Sequence, residues 1–220
     1  MKQPGWEISG LAEDLIKALV DEGIRDRRVI DAFRRVSRAR FVPSSWIERA
    51  YEDRPIPIAH EQVTTQPSLI ARMVEGLRLT GTERVLEIGT GLGFQTAVLA
   101  MLAREVFSVE RFPDLSEAAM GNLRAAGIGN VTLAVGDGTN GLPDHAPFDG
   151  IVVSAAAPEV PPPLVAQLAE GALLVHPIGP GGRETVVAFR KKGGRLMEEE
   201  RLTEAFFVRL IGKHGLPDET

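Results

Sequence analysis

Apolar residues first recur at helical spacing, as Leu11, Leu15, Ala18 and Leu19 and then as Val29, Ile30, Phe33 and Val36. The spacing predicts two helices within residues 10–36, the first ended by Gly23 and the second capped by Asp26. The rhythm then breaks. Residues 41–65 hold Pro43, Pro55 and Pro57, the aromatics Trp46 and Tyr51, and a polar end at His60, Glu61, Gln62, Thr64 and Thr65. Prolines so spaced block regular structure, and a long irregular segment in a compact fold often forms a binding loop. Pro67 can open the next helix, whose buried stripe is Leu69, Ile70, Met73, Val74 and Leu77. Thr65 stands just ahead of that helix, placed either to cap it or to face a ligand.

From residue 84 the pattern alternates between strand and helix. Val85, Leu86 and Ile88 flank Glu87, and the run Gly89-Thr90-Gly91-Leu92-Gly93 follows before a helix over 94–103. Strand, glycine-rich turn and helix form the first unit of a doubly wound, nucleotide-binding α/β sheet. The spacing is not that of a dinucleotide fingerprint, because Gly93 falls one residue early. An acid two residues before the first glycine suits a cationic ligand group better than a pyrophosphate. A second strand over 106–109 ends in Glu110, where such folds bind ribose hydroxyls. A helix over 113–126 stops at Gly127, and a strand over 131–135 runs into Gly136-Asp137-Gly138. Asp137 could accept a hydrogen bond from an adenine amino group. Glu87, Glu110 and Asp137 thus close three successive strands, at the edge where open α/β sheets bind ligands. Further strands are predicted at 148–153, 172–176, 185–190, 195–202 and 206–211, with a short helix near 163–169. Lys191-Lys192-Gly193-Gly194 reads as a hairpin turn.

Composition narrows the chemistry. The 220 residues are 44% hydrophobic and 25% charged, as in ordinary soluble proteins, and suffice for a single domain over 1–220. Residues 1–66 would form a helical cap and substrate loop, and 67–220 the cofactor-binding core. A net charge of −5 argues against a nucleic-acid partner. Cysteine is absent, which excludes disulfides, thiolate metal sites and a cysteine nucleophile, and fits a cytoplasmic location. No apolar run approaches the ~20 residues of a membrane span, and residues 1–19 lack the apolar stretch of a signal peptide. His145, His176 and His214 show no metal-ligand spacing, so no metal is expected.

Several stretches together resemble the protein-L-isoaspartate O-methyltransferase family. They are Tyr51-Glu52-Asp53, Gln62-Val63-Thr64-Thr65-Gln66-Pro67, Val85 to Gly91, Phe107-Ser108-Val109-Glu110-Arg111, Gly136-Asp137-Gly138 and Ala146-Pro147-Phe148-Asp149. The alanine-rich turn before Pro158, and Phe207-Val208, add to the likeness. The resemblance implies a mostly parallel, seven-stranded methyltransferase (Rossmann-like) sheet with an N-terminal helical cap. It implies S-adenosyl-L-methionine as methyl donor and S-adenosyl-L-homocysteine as product, with no metal. It implies isoaspartyl-containing proteins and peptides as partners, and a monomer. Carried over residue by residue, it assigns the cofactor to Gln62, Val63, Thr64, Glu87, Gly89, Thr90, Gly91, Gly93, Glu110, Arg111, Asp137 and Gly138. It assigns the substrate to Ile58, Ala59, His60 and Val208, and the reacting centre to Thr65.

This sequence departs from the family pattern at three positions. Thr65 stands where the family has serine, Thr64 where it has isoleucine, and Arg209 where it has proline. These motivate an alternative, a related carboxyl methyltransferase with a different peptide acceptor. A nucleic-acid methyltransferase is disfavoured, because Ser154-Ala155-Ala156-Ala157-Pro158 replaces the Asn/Asp-Pro-Pro-aromatic turn of amino-methylating relatives. A protein that binds the cofactor without catalysis is the third reading. The chemistry asks little of the chain. An acceptor carboxylate, with a reference pKa of about 4, is already ionised at neutral pH. Alignment of two groups, worth roughly 7–11 kcal/mol at best, then matters more than a strong base. One hydroxyl, that of Thr65, could supply the aim.

Overall fold

A computed structural model describes residues 5–180 and 182–218. Helices α1 (Gly5–Asp21) and α2 (Arg27–Arg35) form the cap. Asp26 caps α2 by accepting from the Arg28 N–H at 2.8 Å. Leu15, Leu19, Val29 and Phe33 are buried between these helices and the sheet. The segment read as irregular holds two short 3-10 turns, Arg38–Phe41 and Ser44–Arg49, and a small antiparallel hairpin of β1 (Ile56–Pro57) and β2 (Val63–Thr64). Two-residue strands carry no period that a sequence could display.

Helix α3 (Pro67–Gly76) follows. Its free N-terminal N–H is met from a distance: Asp53 Oδ1 accepts from Ser68 N at 2.8 Å, and Asp53 Oδ2 from Gln66 Nε2 at 2.9 Å. Then come β3 (Arg84–Ile88), α4 (Phe94–Ala100), β4 (Glu105–Glu110), α5 (Pro113–Ala125), β5 (Val131–Val135) and β6 (Phe148–Val153). Helix α6 (Pro162–Gln167), β7 (Leu168–Ile178), β8 (Gly182–Lys192) and β9 (Arg195–Phe207) complete the chain. The seven-stranded sheet has the order β5-β4-β3-β6-β7-β8-β9, parallel from β5 to β7, with β8 antiparallel to both its neighbours. Strand order reverses beside β3, which creates a crevice at the carboxyl ends of β3, β4 and β6. Alternation along β3 divides the core: Val85 packs under the cap helices, whereas Leu86 and Ile88 join Phe107, Phe148 and Ile151 on the other face.

Several boundaries differ from the expectation. The strands predicted at 195–202 and 206–211 are one strand, β9, because no glycine or proline interrupts residues 203–207 and pairing with β8 absorbs two register shifts. Beyond Phe207 the chain crosses to the turn after β6, where Ala156 N donates to Val208 O at 2.8 Å and Leu210 N to Ala156 O at 2.7 Å. Strand β7 starts earlier than predicted and α6 ends earlier, since Leu168 pairs with Phe148. Helix α4 ends at Ala100 rather than at 103.

One buried cation ties the irregular segment down. The side chain of Arg38 is fully buried. Its Nη1 donates to Ala50 O at 2.9 Å and Glu52 O at 3.1 Å, and its Nη2 to Arg54 O and Thr65 O, both at 3.1 Å. The guanidinium also lies 5.6 Å from the centre of the Phe94 ring. Burial lowers its pKa to about 10, opposed by the charge of Asp53, so it stays protonated at neutral pH. Arg38→Met would strip the donor from four carbonyls and should cost about 3 kcal/mol or more, at 1–3 kcal/mol for a buried group left unsatisfied. Urea unfolding reads this directly, and a loss under about 1 kcal/mol would contradict the role.

Candidate active site

The crevice beside β3 is a cleft enclosing about 850 Å³ of non-atom space, the part open to solvent included. Its floor is the glycine turn after β3 and the end of β4. Its roof is the β1–β2 hairpin, with Ile58, Gln62, Val63, Thr64 and Thr65, and the crossing segment Val208 to Ile211.

The turn residues Gly89, Thr90 and Gly91 line the cleft. Gly89 has φ 96°, and a Cβ there would sit 3.4 Å from the Cβ of Ser154, so a side chain would be both strained and crowded. Gly93, also at φ 92°, serves differently: it caps α4 and lies against Ala119 of α5, outside the cleft wall. Glu110 lines the cleft, and its carboxylate accepts from Gly91 N at 2.8 Å and Phe112 N at 3.1 Å. The acid is thereby fixed against the turn with lone pairs to spare. Ile88, Val109, Phe112 and Leu115 add apolar walls, and Arg111 and Gly138 lie beside them.

Glu87 does not line the cleft. It is wholly buried, and its oxygens accept from Gln95 Nε2 at 3.0 Å, Thr96 Oγ1 at 2.5 Å and Ser108 Oγ at 2.6 Å. Thr90 Oγ1 lies 2.6 Å from Ser108 Oγ, which joins the glycine turn to the same network. Asp137 is also turned away. It accepts from Thr139 N and Oγ1 at 2.9 and 2.6 Å and from Lys213 N at 2.8 Å, holding the segment after Ile211. Burial raises its pKa, but these hydrogen bonds outweigh that and leave it below the ordinary value. Ala59 and His60 sit at the hairpin tip, outside the cleft lining. His60 Nε2 is 2.9 Å from both Asp114 oxygens, and its ring stacks on Phe112 at 4.1 Å, so the tip is clasped to the start of α5. The hydrogen bond from His60 holds the Asp114 carboxyl below its usual range.

Thr65 is not a helix cap. Gln66 occupies that position, and the Thr65 hydroxyl has no hydrogen-bond partner among the described residues. Thr65 lines two clefts at once: the one just described, and a groove formed by Pro55, Gln66, Leu69 and Ala205 to Val208. Val63, Ser154 and Val208 share that position. Sequence reading missed Gln95 and Ser154. The signal was present for Gln95, since Gln95 and Thr96 are the polar residues of the otherwise apolar helix α4. Among the described residues no group of three or more His, Asp or Glu side chains could hold a metal ion.

A family model described as Protein-L-isoaspartate(D-aspartate) O-methyltransferase (PCMT) matches residues 11–215. The chain belongs to the protein-L-isoaspartate O-methyltransferase family. A protein-L-isoaspartate O-methyltransferase of Methanoculleus marisnigri is 48% identical over 90% of this chain and 89% of its own length. One from Anaeromyxobacter dehalogenans is 49% identical over 91% and 97%. A solved protein-L-isoaspartate O-methyltransferase matches with a TM-score of 0.81 at 32% identity, over 93% of this chain and 67% of its own. The beta-aspartate methyltransferase (PCMT) of Plasmodium falciparum, solved in complex with S-adenosyl-L-homocysteine, gives 0.76 at 26% identity, over 90% and 97%. The chain is therefore an S-adenosylmethionine-dependent carboxyl O-methyltransferase whose acceptor is the isoaspartyl residue of a damaged protein. Its cleft fits that cofactor on chemical grounds: apolar walls for a base, a fixed carboxylate for hydroxyls, and backbone without side chains where a close approach is needed.

Glu87 yields a test of the buried network. Burial pushes its pKa up from 4.5 to about 7, although Ser108, Thr96 and Gln95 favour the anion. Between those values the folded protein keeps a proton that the unfolded chain has lost, so stability falls as pH rises through the window and levels off above it. His176, which burial lowers to about 3, acts in the opposite sense but is common to both proteins compared. Relative to the parent, Glu87→Gln should gain about 3 kcal/mol in unfolding free energy between about pH 4 and about pH 8. A difference that does not change with pH would contradict a titrating, buried carboxyl.

Proposed function

We propose that the two joined clefts divide the work of isoaspartyl methylation. The inner one holds S-adenosylmethionine, the groove beside it receives the damaged peptide, and Thr65 stands where they meet. The observation that carries this reading is the uncommitted hydroxyl of Thr65, lining both clefts, on a loop whose carbonyl Arg38 holds.

Glu110 accepts from the ribose hydroxyls, which its fixed geometry favours. Gly89, Thr90, Gly91, Gln62, Val63, Thr64, Arg111 and Gly138 complete the cofactor wall. Glu87, Gly93 and Asp137 act behind that wall, by holding Gln95 and the hydroxyl network, the α4–α5 contact and the segment after Ile211. When bound, S-adenosylmethionine supplies a methyl group on a sulfonium whose leaving group is a neutral thioether. The acceptor arrives as a carboxylate, so no side chain needs to remove a proton. Thr65 donates its hydroxyl hydrogen to one carboxylate oxygen and leaves the other free for the methyl. Ile58 and Val208 flank this point, while Ala59 and His60 shape the tip above it. The exposed Phe206, at 76%, offers the groove an apolar wall for a neighbouring peptide side chain. Once the ester forms, the next backbone nitrogen attacks its carbonyl, the C–OCH3 bond breaks, and methanol leaves carrying the nitrogen's proton as the succinimide closes; hydrolysis of the ring returns some normal aspartate. The reading includes action as a monomer, and the absence of cysteine suits the cytoplasm.

Thr65→Ala should lower kcat for an isoaspartyl peptide by about 10- to 100-fold, since a hydrogen bond to a charged group is worth about 1.5–3 kcal/mol, and Thr65→Ser should restore it. Unchanged turnover in Thr65→Ala would remove the residue from the reacting centre. Peptides matched except for aspartate in place of isoaspartate should accept no methyl group. Glu110→Ala should weaken cofactor binding about tenfold or more in calorimetry, and an unaltered affinity would move the ribose elsewhere.

A further inference from the structure

Ser154 is a serine for which the proposed chemistry has so far given no task. It follows β6, and its N–H donates to Ile88 O at 2.9 Å, which anchors it against the end of β3. Like Thr65, it lines both the inner cleft and the groove. Its hydroxyl oxygen accepts from Gln95 Nε2 at 2.8 Å, and that contact is its one hydrogen bond among the described residues. Gln95 is buried, and the same nitrogen also donates to Glu87 Oε1 at 3.0 Å. Glu87 Oε1 accepts from that nitrogen, which orients the amide with its nitrogen toward both oxygens. With one lone pair engaged by Gln95, the hydroxyl hydrogen of Ser154 has no acceptor of its own in the described structure.

We infer that Ser154 is a second acceptor-binding hydroxyl, lining the same two clefts as Thr65, and that Gln95 is its positioning residue. A carboxylate has two oxygens and about four acceptor sites, so it can take a hydrogen bond from each hydroxyl. Two donors on different elements, one on the loop before α3 and one after β6, fix the plane of the carboxylate as a single donor cannot. No bond is made or broken by Ser154; it only donates a hydrogen bond. The chain Glu87–Gln95–Ser154 also gives the buried acid a link to the reacting centre, although its own oxygens do not reach it.

This inference rests on the isoaspartyl reading, and the two can fail separately. The experiment compares the full-length protein with Ser154→Ala, Ser154→Thr and Gln95→Met, using S-adenosylmethionine and an isoaspartyl peptide. Ser154→Ala should lower kcat/KM for the peptide about tenfold, mainly through KM, with cofactor affinity within about twofold and an unfolding midpoint close to the parent's. Ser154→Thr, which keeps the hydroxyl, should recover most of the loss. Gln95→Met should show the peptide defect of Ser154→Ala, and the double variant should be no worse than either single one. If the parent methylates the peptide and Ser154→Ala stays within about twofold of it, the inference is overturned and the isoaspartyl reading stands. A loss in Ser154→Ala that falls on cofactor affinity, or that Ser154→Thr does not repair, also overturns it. If the parent transfers nothing to the isoaspartyl peptide, both fall.

Discussion

The structure depends on a guanidinium that has left water. Residues 50–65 have no strand ladder beyond a two-residue hairpin, so their carbonyls must find donors elsewhere. Arg38 supplies four N–H bonds to carbonyls spread from Ala50 to Thr65. An arginine suits the task because its donors are held in a rigid planar fork, which loses little freedom for each bond formed. Asp53, whose charge favours the buried cation, caps α3 through Ser68 N, so loop and helix share one electrostatic anchor. Phe94, under the guanidinium, opens the helix that follows the glycine turn. The acceptor loop and the cofactor turn are thus braced against the same side chain.

A second buried polar network lies behind the glycine turn. Glu87 gathers hydroxyls and an amide from α4 and β4, and Thr90 and Ser154 bring its reach to the cleft wall. Such a cluster is costly unless its groups are paired, and here the Glu87 carboxyl oxygens accept three hydrogen bonds. It aligns the ends of β3, β4 and β6, the three strands whose tips meet at the switch point. The cleft wall itself can then stay largely backbone and apolar side chain.

Much of this was legible in the sequence. The glycine turn, Glu110 at its strand end and the helix beginning at Pro67 each announced themselves by local chemistry that the fold preserves, whereas Thr65 was singled out by the family likeness. What local pattern could not show was direction. Glu87 reads as a ligand-facing acid, yet period-2 alternation turns its side chain to the same face as Val85, into the protein. Asp137 stands in a turn that reads as a ligand contact, but a segment some 75 residues later claims its oxygens. Arg38 was hidden among several nearby arginines, and only the path of residues 50–65 singles it out. Ser154 was hidden at the head of an alanine-rich turn. These contacts depend on long-range placement, which residue type and spacing do not encode.

The most direct measurement is a crystal structure of the protein with S-adenosyl-L-homocysteine and an isoaspartyl peptide bound together. The hydroxyl of Thr65 should lie about 3 Å from a carboxylate oxygen of the isoaspartyl side chain, with the cofactor sulfur facing that carboxylate from the inner cleft. A peptide seated in the groove with its carboxylate beyond reach of Thr65, or a cofactor lying outside the inner cleft, would contradict the division of labour described above.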